Sequence, residues 1–152
     1  MSMRHLLAGI AFPLLLASWV TAAEMVAIAG DDINMRSGPG TEHAILWKLD
    51  SGFPIEVVGV KGEWLQVKDF EGSTGWVHKK TTQKTPHAIV KANKETGQQI
   101  NVRSEPDTKS AVVAKANYGV VFKVLEKKDG WVKVEHGQDV RGWVDGRLLW
   151  GL

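Results

Sequence analysis

Tryptophan is the side chain with most to offer chemically. The chain has seven in 152 residues, and Trp64, Trp76, Trp131 and Trp143 stand in two similarly spaced pairs. A flat indole with a polar N–H tip suits stacking on a sugar ring or a peptide plane, so these four are candidate ligand-binding residues. Arg36 and Arg103 are candidate anion hooks, because a guanidinium grips a carboxylate with two parallel hydrogen bonds. An arginine beside a Ser-Gly-Pro-Gly turn has a commoner use, which is to staple the turn to a carboxylate or backbone carbonyl. Asn34 and Asn101 are expected to hydrogen-bond locally within the same loops. Catalytic chemistry finds no foothold. Cysteine is absent, which removes thiolate nucleophiles, thiolate metal sites and disulfides together. His43, His78, His87 and His136 stand singly, without partners at metal-ligand spacing, and no serine lies in a nucleophile-elbow pattern. Asp31-Asp32 is the one adjacent carboxylate pair and suits a turn better than an acid–base couple or a calcium loop. No cofactor, no metal and no enzymatic activity are expected.

Short strands must position these residues. Runs of alternating apolar and polar residues, punctuated by glycine and other turn formers, predict strands at residues 26–29, 34–36, 45–49, 55–60, 64–68 and 74–78. Within residues 64–68, Leu65 and Val67 share one face, while Trp64, Gln66 and Lys68 share the other. By the same alternation Trp76, Trp131 and Trp143 fall in the polar phase, giving two outward tryptophans per copy. A turn centred near Glu71 would pair Gln66 with Trp76 and Trp64 with His78, making the two indoles diagonal neighbours. Such a strip is either a ligand platform or a second small core covered by a loop or the chain terminus.

The pattern occurs twice. Ile33, Asn34, Arg36, Ser37, Pro39 and Thr41 return as Ile100, Asn101, Arg103, Ser104, Pro106 and Thr108, an offset of 67 that persists through Gly75-Trp76-Val77 and Gly142-Trp143-Val144. Upstream of Ile100 the second copy is longer, with an inserted stretch around Lys94 to Gln99. Trp47 aligns with Ala114 and Tyr118 with Ser51, so Trp47 and Tyr118 are the candidates for making one copy bind where the other does not. The fold class expected is all-β: two tandem small barrels whose closure hides the edges a small sheet would expose. The predicted division is a first domain over 24–80, a linker over 81–86 and a second domain over 87–152.

Asn34-Met35-Arg36-Ser37-Gly38-Pro39-Gly40-Thr41, Trp64-x-x-Val67 and Gly75-Trp76-Val77, with Asn101-Val102-Arg103-Ser104 repeating the first motif, resemble the bacterial SH3 domain. Gly72-x-x-Gly75-Trp76-Val77-His78 and Leu149-Trp150-Gly151 further resemble small secreted tandem members of that family. The resemblance implies SH3-like barrels and a non-catalytic role in binding peptidoglycan or envelope proteins. The chain has one tyrosine, Tyr118, where polyproline-binding SH3 modules use several, so proline-rich ligands are not expected.

The amino terminus reads as a secretory signal over residues 1–23: Arg4 and His5, an apolar run from Leu6 to Val20, then small residues at Thr21, Ala22 and Ala23. About 15 apolar residues interrupted by Pro13 fall short of the roughly 20 needed to span a bilayer. The expected mature chain has no integral membrane segment and is periplasmic or secreted. Residues 24–78 hold nine acids and four bases, residues 79–152 eight acids and fourteen bases, for net charges of −5 and +6. The lysines are spread through turns, so no nucleic-acid partner is expected; the asymmetry suits attraction between the halves or to an anionic polymer. Peptidoglycan recognition is the leading expectation, with an adaptor docking onto an envelope enzyme or secretion component as the alternative.

Overall fold

The computed structural model describes residues 22–152. The signal segment expected over residues 1–23 therefore lies, up to residue 21, outside the described residues. Among those described, no helix is long and apolar enough to cross a membrane.

The first copy consists of β1 (Glu24–Ile28), β2 (Ile33–Arg36), β3 (Ile45–Leu49), β4 (Pro54–Lys61), β5 (Trp64–Lys68), β6 (Thr74–His78) and β7 (Thr82–Gln83). The second consists of β8 (His87–Val90), β9 (Ile100–Arg103), β10 (Val112–Ala116), β11 (Val121–Lys128), β12 (Trp131–His136), β13 (Val140–Asp145) and β14 (Leu149–Trp150). Each forms one antiparallel sheet, in the order β3-β2-β6-β5-β4-β1-β7 and β10-β9-β13-β12-β11-β8-β14, so the topology repeats strand for strand. A bulge recurs at the same place in both long strands, between Val57 and Gly59 and between Val124 and Glu126, and bends each sheet into a small barrel.

The strand alternation has a simple cause: each core is built from the apolar phase. Val26, Ile28, Met35, Leu49, Ile55, Leu65, Val67 and Val77 fill the first barrel. Val90, Ile100, Val102, Ala116, Phe122, Val132, Val134 and Val144 fill most of the second. At the offset of 67, Leu49 becomes Ala116 while Ile55 becomes Phe122. Part of the volume lost at one position is regained at the other, one way in which a close-packed interior accommodates sequence change.

Two elements lie outside the predicted pattern. A single 3-10 turn, Lys79–Thr81, follows β6, and another, Gly146–Leu148, follows β13. Thr82 and Gln83, expected in the linker, instead form β7 and pair with Ile28 and Ala27. The Gln83 side-chain amide also donates to the Ile28 carbonyl at 2.8 Å. A two-residue polar strand has no hydrophobic period to betray it, and its backbone hydrogen bonds close the barrel regardless of side chain.

The two barrels touch in part through residues that the repeat does not share. The Phe70 and Tyr118 rings lie 5.3 Å apart, with Phe53 edge-on to Phe70 at 6.0 Å. The Tyr118 hydroxyl donates to Glu71, and Lys94 reaches the same carboxylate at 2.8 Å. Tyr118, a candidate ligand residue by its place in the repeat, is thus engaged by the other barrel. The attraction expected between an acidic and a basic half is here the ion pair of Glu71 with Lys94.

Candidate functional site

The register about the Glu71 turn is the expected one: Gln66 pairs with Trp76 and Trp64 with His78, so the two indoles are diagonal neighbours on adjacent strands. The turn is held by Asp69, whose Oδ1 accepts from the Glu71 and Ser73 amides at 2.9 and 2.8 Å. Trp64 and Trp76 are partly buried. The imidazole of His78 stands edge-on to Trp64 at 5.3 Å.

In the second barrel Trp131 pairs with Asp145 and Lys133 with Trp143. Trp131 is partly buried, but Trp143 is only 7% exposed, the covered alternative rather than an open platform. Lys133, where the first barrel has Gln66, lays its ammonium 5.7 Å from the centre of the Trp143 ring. On the adjoining residue, Val113 of β10 comes so near Gly142 that an added Cβ would lie 3.0 Å from its Cγ2. Trp143 is therefore part of the packing. Trp47 is the opposite case, 57% exposed on the edge strand β3 and two strands away from Trp76.

Both arginines staple turns. Arg36 Nη1 donates to the Thr41 and His43 carbonyls, each at 2.9 Å, and Arg103 Nη1 donates to the Ser110 carbonyl at 2.8 Å. Each also stands in register beside a tryptophan, Arg36 with Trp76 and Arg103 with Trp143. Asn34 does not make the local bond expected of its carbonyl: its Oδ1 is buried with no hydrogen-bond partner among the described residues.

A concavity beside a tryptophan lies on the second barrel. A groove of about 290 Å³ runs past Trp131 and Asp145 over Ile100 and Leu148. One wall is Asn93, Gln98 and Gln99 from the inserted turn, and the other includes Arg103 and Thr108. That inserted turn is tied internally, with Gly97 N–H donating to the Asn93 carbonyl and the Asn93 side-chain amide to the Gln98 carbonyl, both at 2.9 Å. Asn93 takes a left-handed φ of 63°, which asparagine tolerates better than most residues. Asp145 is held by Arg147, whose Nη2 lies 2.6 Å from Oδ2 and whose backbone N–H donates at 3.0 Å. The Arg147 side chain keeps the Asp145 carboxyl below the usual range; partial burial pulls the other way. The groove thus offers an indole, several amides that both donate and accept, and one guanidinium. These are the means to hold a polar, amide-bearing chain. On its other side Trp131 borders a second concavity of about 450 Å³, rimmed by Lys127, Lys128 and Arg147.

Asn93, Gln98, Gln99 and Asp145 were not candidates by sequence. The available signal was the one gap in the repeat, since β1 and β2 are joined by four residues and β8 and β9 by nine. Among the described residues no group of three or more His, Cys, Asp or Glu could hold a metal ion.

Comparison with known proteins follows the repeat. Residues 29–84 and 96–151 each match the model of the bacterial SH3 domain. The chain is 31% identical over 139 residues to the putative N-acetylmuramoyl-L-alanine amidase YrvJ of Bacillus subtilis (strain 168). That match covers 87% of this chain and 27% of the relative, so the chain spans about a quarter of the relative's length. Among solved structures, NlpC1 from Trichomonas vaginalis aligns over 91% of this chain and 50% of its own, at 14% identity and a TM-score of 0.35. The endolysin LysPBC5 CBD aligns over 88% and 96%, at 14% and 0.33. Likenesses of that size are too slight to carry function. The two family matches together cover well over half the chain and coincide with the two sheets, and the chain belongs to the bacterial SH3 domain family.

Proposed function

We infer that this chain is a non-catalytic binding protein of the cell envelope that recognises peptidoglycan, principally through the second barrel. The observation that carries this reading is the groove beside Trp131, where an indole is joined by the amides of Asn93, Gln98 and Gln99. Peptidoglycan combines sugar rings with N-acetyl and peptide amides, so a ring face plus paired amide donors and acceptors matches it group for group. Arg103 adds a cation suited to a stem carboxylate. The similarity to part of a putative N-acetylmuramoyl-L-alanine amidase supports the same substrate class. An exported, periplasmic or secreted location goes with this reading.

Co-sedimentation of residues 24–152 with isolated cell-wall sacculi tests it. Intact protein should pellet with the sacculi, and Trp131→Ala should weaken binding by about tenfold or more, as loss of an interface hot spot does. Trp64→Ala should weaken it less, since the first barrel has the shorter β1–β2 loop. Absence of binding by the intact chain would sink the proposal. A protein-docking role is favoured by a separate observation: Ile45, Leu46 and Trp47 are all exposed on the free edge strand β3. Under that reading, substitution of Trp47 rather than Trp131 would abolish the activity.

A further inference from the structure

We propose that the first barrel completes the second barrel's groove: Glu71, at the tip of the β5–β6 turn, is a positioning residue that holds the groove-forming turn in place through Lys94. The inference rests on the groove being a binding site, as argued above, and adds a part to it from the other barrel.

The turn between β8 and β9 does two things at once. Asn93, Gln98 and Gln99 form one wall of the groove, while Lys94, between them, points its ammonium at Glu71 of the first barrel, 2.8 Å away. The turn closes on itself through the bonds of Asn93, Gly97 and Gln98. It therefore moves as a small body, and what sets its place over the barrel is its two ends and any outside tether. Lys94 is the tether. Its partner is itself held, since the Tyr118 hydroxyl donates to the same carboxylate and the Tyr118 ring packs on Phe70. Lys94 also lies 5.6 Å from the centre of the Tyr118 ring, so the cation, the phenol and the carboxylate form one cluster.

Every part of this cluster is unique to one copy. At the offset of 67, Phe70 and Glu71 correspond to Gly137 and Gln138, Tyr118 to Ser51, and Lys94 lies in the insertion. The positions that carry this contact and the insertion that builds the groove wall are thus both features in which the two copies differ. Glu71 and Lys94 are both accessible, so the pair adds little to folding stability. Its effect is on position, and a displaced wall moves Gln98 and Gln99 relative to Trp131.

The test uses residues 24–152 with Glu71→Lys, Lys94→Glu and the double exchange that restores the pair reversed. Without any ligand, NMR of the Trp131 indole N–H and the Gln98 and Gln99 side-chain amides should shift in each single reversal and return in the double. Affinity for a soluble muropeptide should fall about fivefold or more in each single variant, a coupling of ordinary size between linked sites, and recover in the double. Unchanged resonances, or single reversals that bind as tightly as the parent, would overturn the proposal. If the parent itself binds no muropeptide, the peptidoglycan reading fails, and the resonances still decide whether Glu71 positions the turn.

Discussion

The two barrels share a topology strand for strand and differ in what lies over their tryptophans. In the first, Trp76 pairs with Gln66 and stays partly exposed; in the second, Trp143 pairs with Lys133 and is buried. Trp64 has His78 edge-on beside it, where Trp131 has Asp145 and a groove. A repeated sheet supplies equivalent positions, and the side chains and loops around them decide whether each is surface or core. The same differences help to join the copies, because Phe70, Glu71, Lys94 and Tyr118 meet between them and none has an identical counterpart in the other copy.

Removing the two equivalent indoles should separate surface from core most sharply. Trp143→Ala is expected to cost about 3–5 kcal/mol of unfolding free energy, as emptying a buried aromatic site does, and Trp76→Ala clearly less. Denaturant unfolding measures both, and equal losses would contradict the assignment of Trp143 to the core.

A smaller effect tests the compensated cores. Ala116→Leu alone overpacks the second barrel against Phe122 and should cost about 1–3 kcal/mol. Adding Phe122→Ile, which recreates the Leu49/Ile55 pair of the first barrel, should recover much of that loss. Additive losses would show that the two positions do not share volume.

The smallest effect concerns the caps of the two 3-10 turns, which do the same job with different chemistry. His78 Nδ1 accepts from the Lys80 amide at 3.2 Å, whereas Asp145 Oδ1 accepts from the Arg147 amide at 3.0 Å. The Arg147 side chain lowers the Asp145 carboxyl. A depressed native value means that its contribution to stability is complete above the ordinary aspartate range and is lost as pH falls through the lowered value. NMR titration of the Asp145 carboxyl should give a midpoint below the ordinary aspartate value, moving up toward it in Arg147→Gln. A midpoint indifferent to Arg147 would remove the ion pair from the account.

Much of this architecture was legible residue by residue. The period-two runs located six of the first copy's seven strands, the repeat extended the pattern to the second copy, and the position of Glu71 alone set the register that pairs Trp64 with His78. The turn-stapling role of Arg36 was legible in its Ser-Gly-Pro-Gly context, and that of Arg103 in its equivalent place in the repeat. Trp143 could not be assigned this way. Alternation reports which face of a sheet a residue takes and is silent on what covers that face, here the Lys133 side chain. β7 and β14 were illegible because two residues are too few to show a period.

By itself, then, the amino-acid sequence determined the things that depend on neighbours along the chain: strand positions, the inward phase, the turns and the repeat of two barrels. Local sterics and the period of two enforce these wherever the segment lies. Only the tertiary structure decided which indoles remain accessible, that Tyr118 and Glu71 meet across the barrels, and that the insertion walls a groove beside Trp131. Each of these depends on side chains brought together from separate strands and loops, whose approach is set by packing in three dimensions.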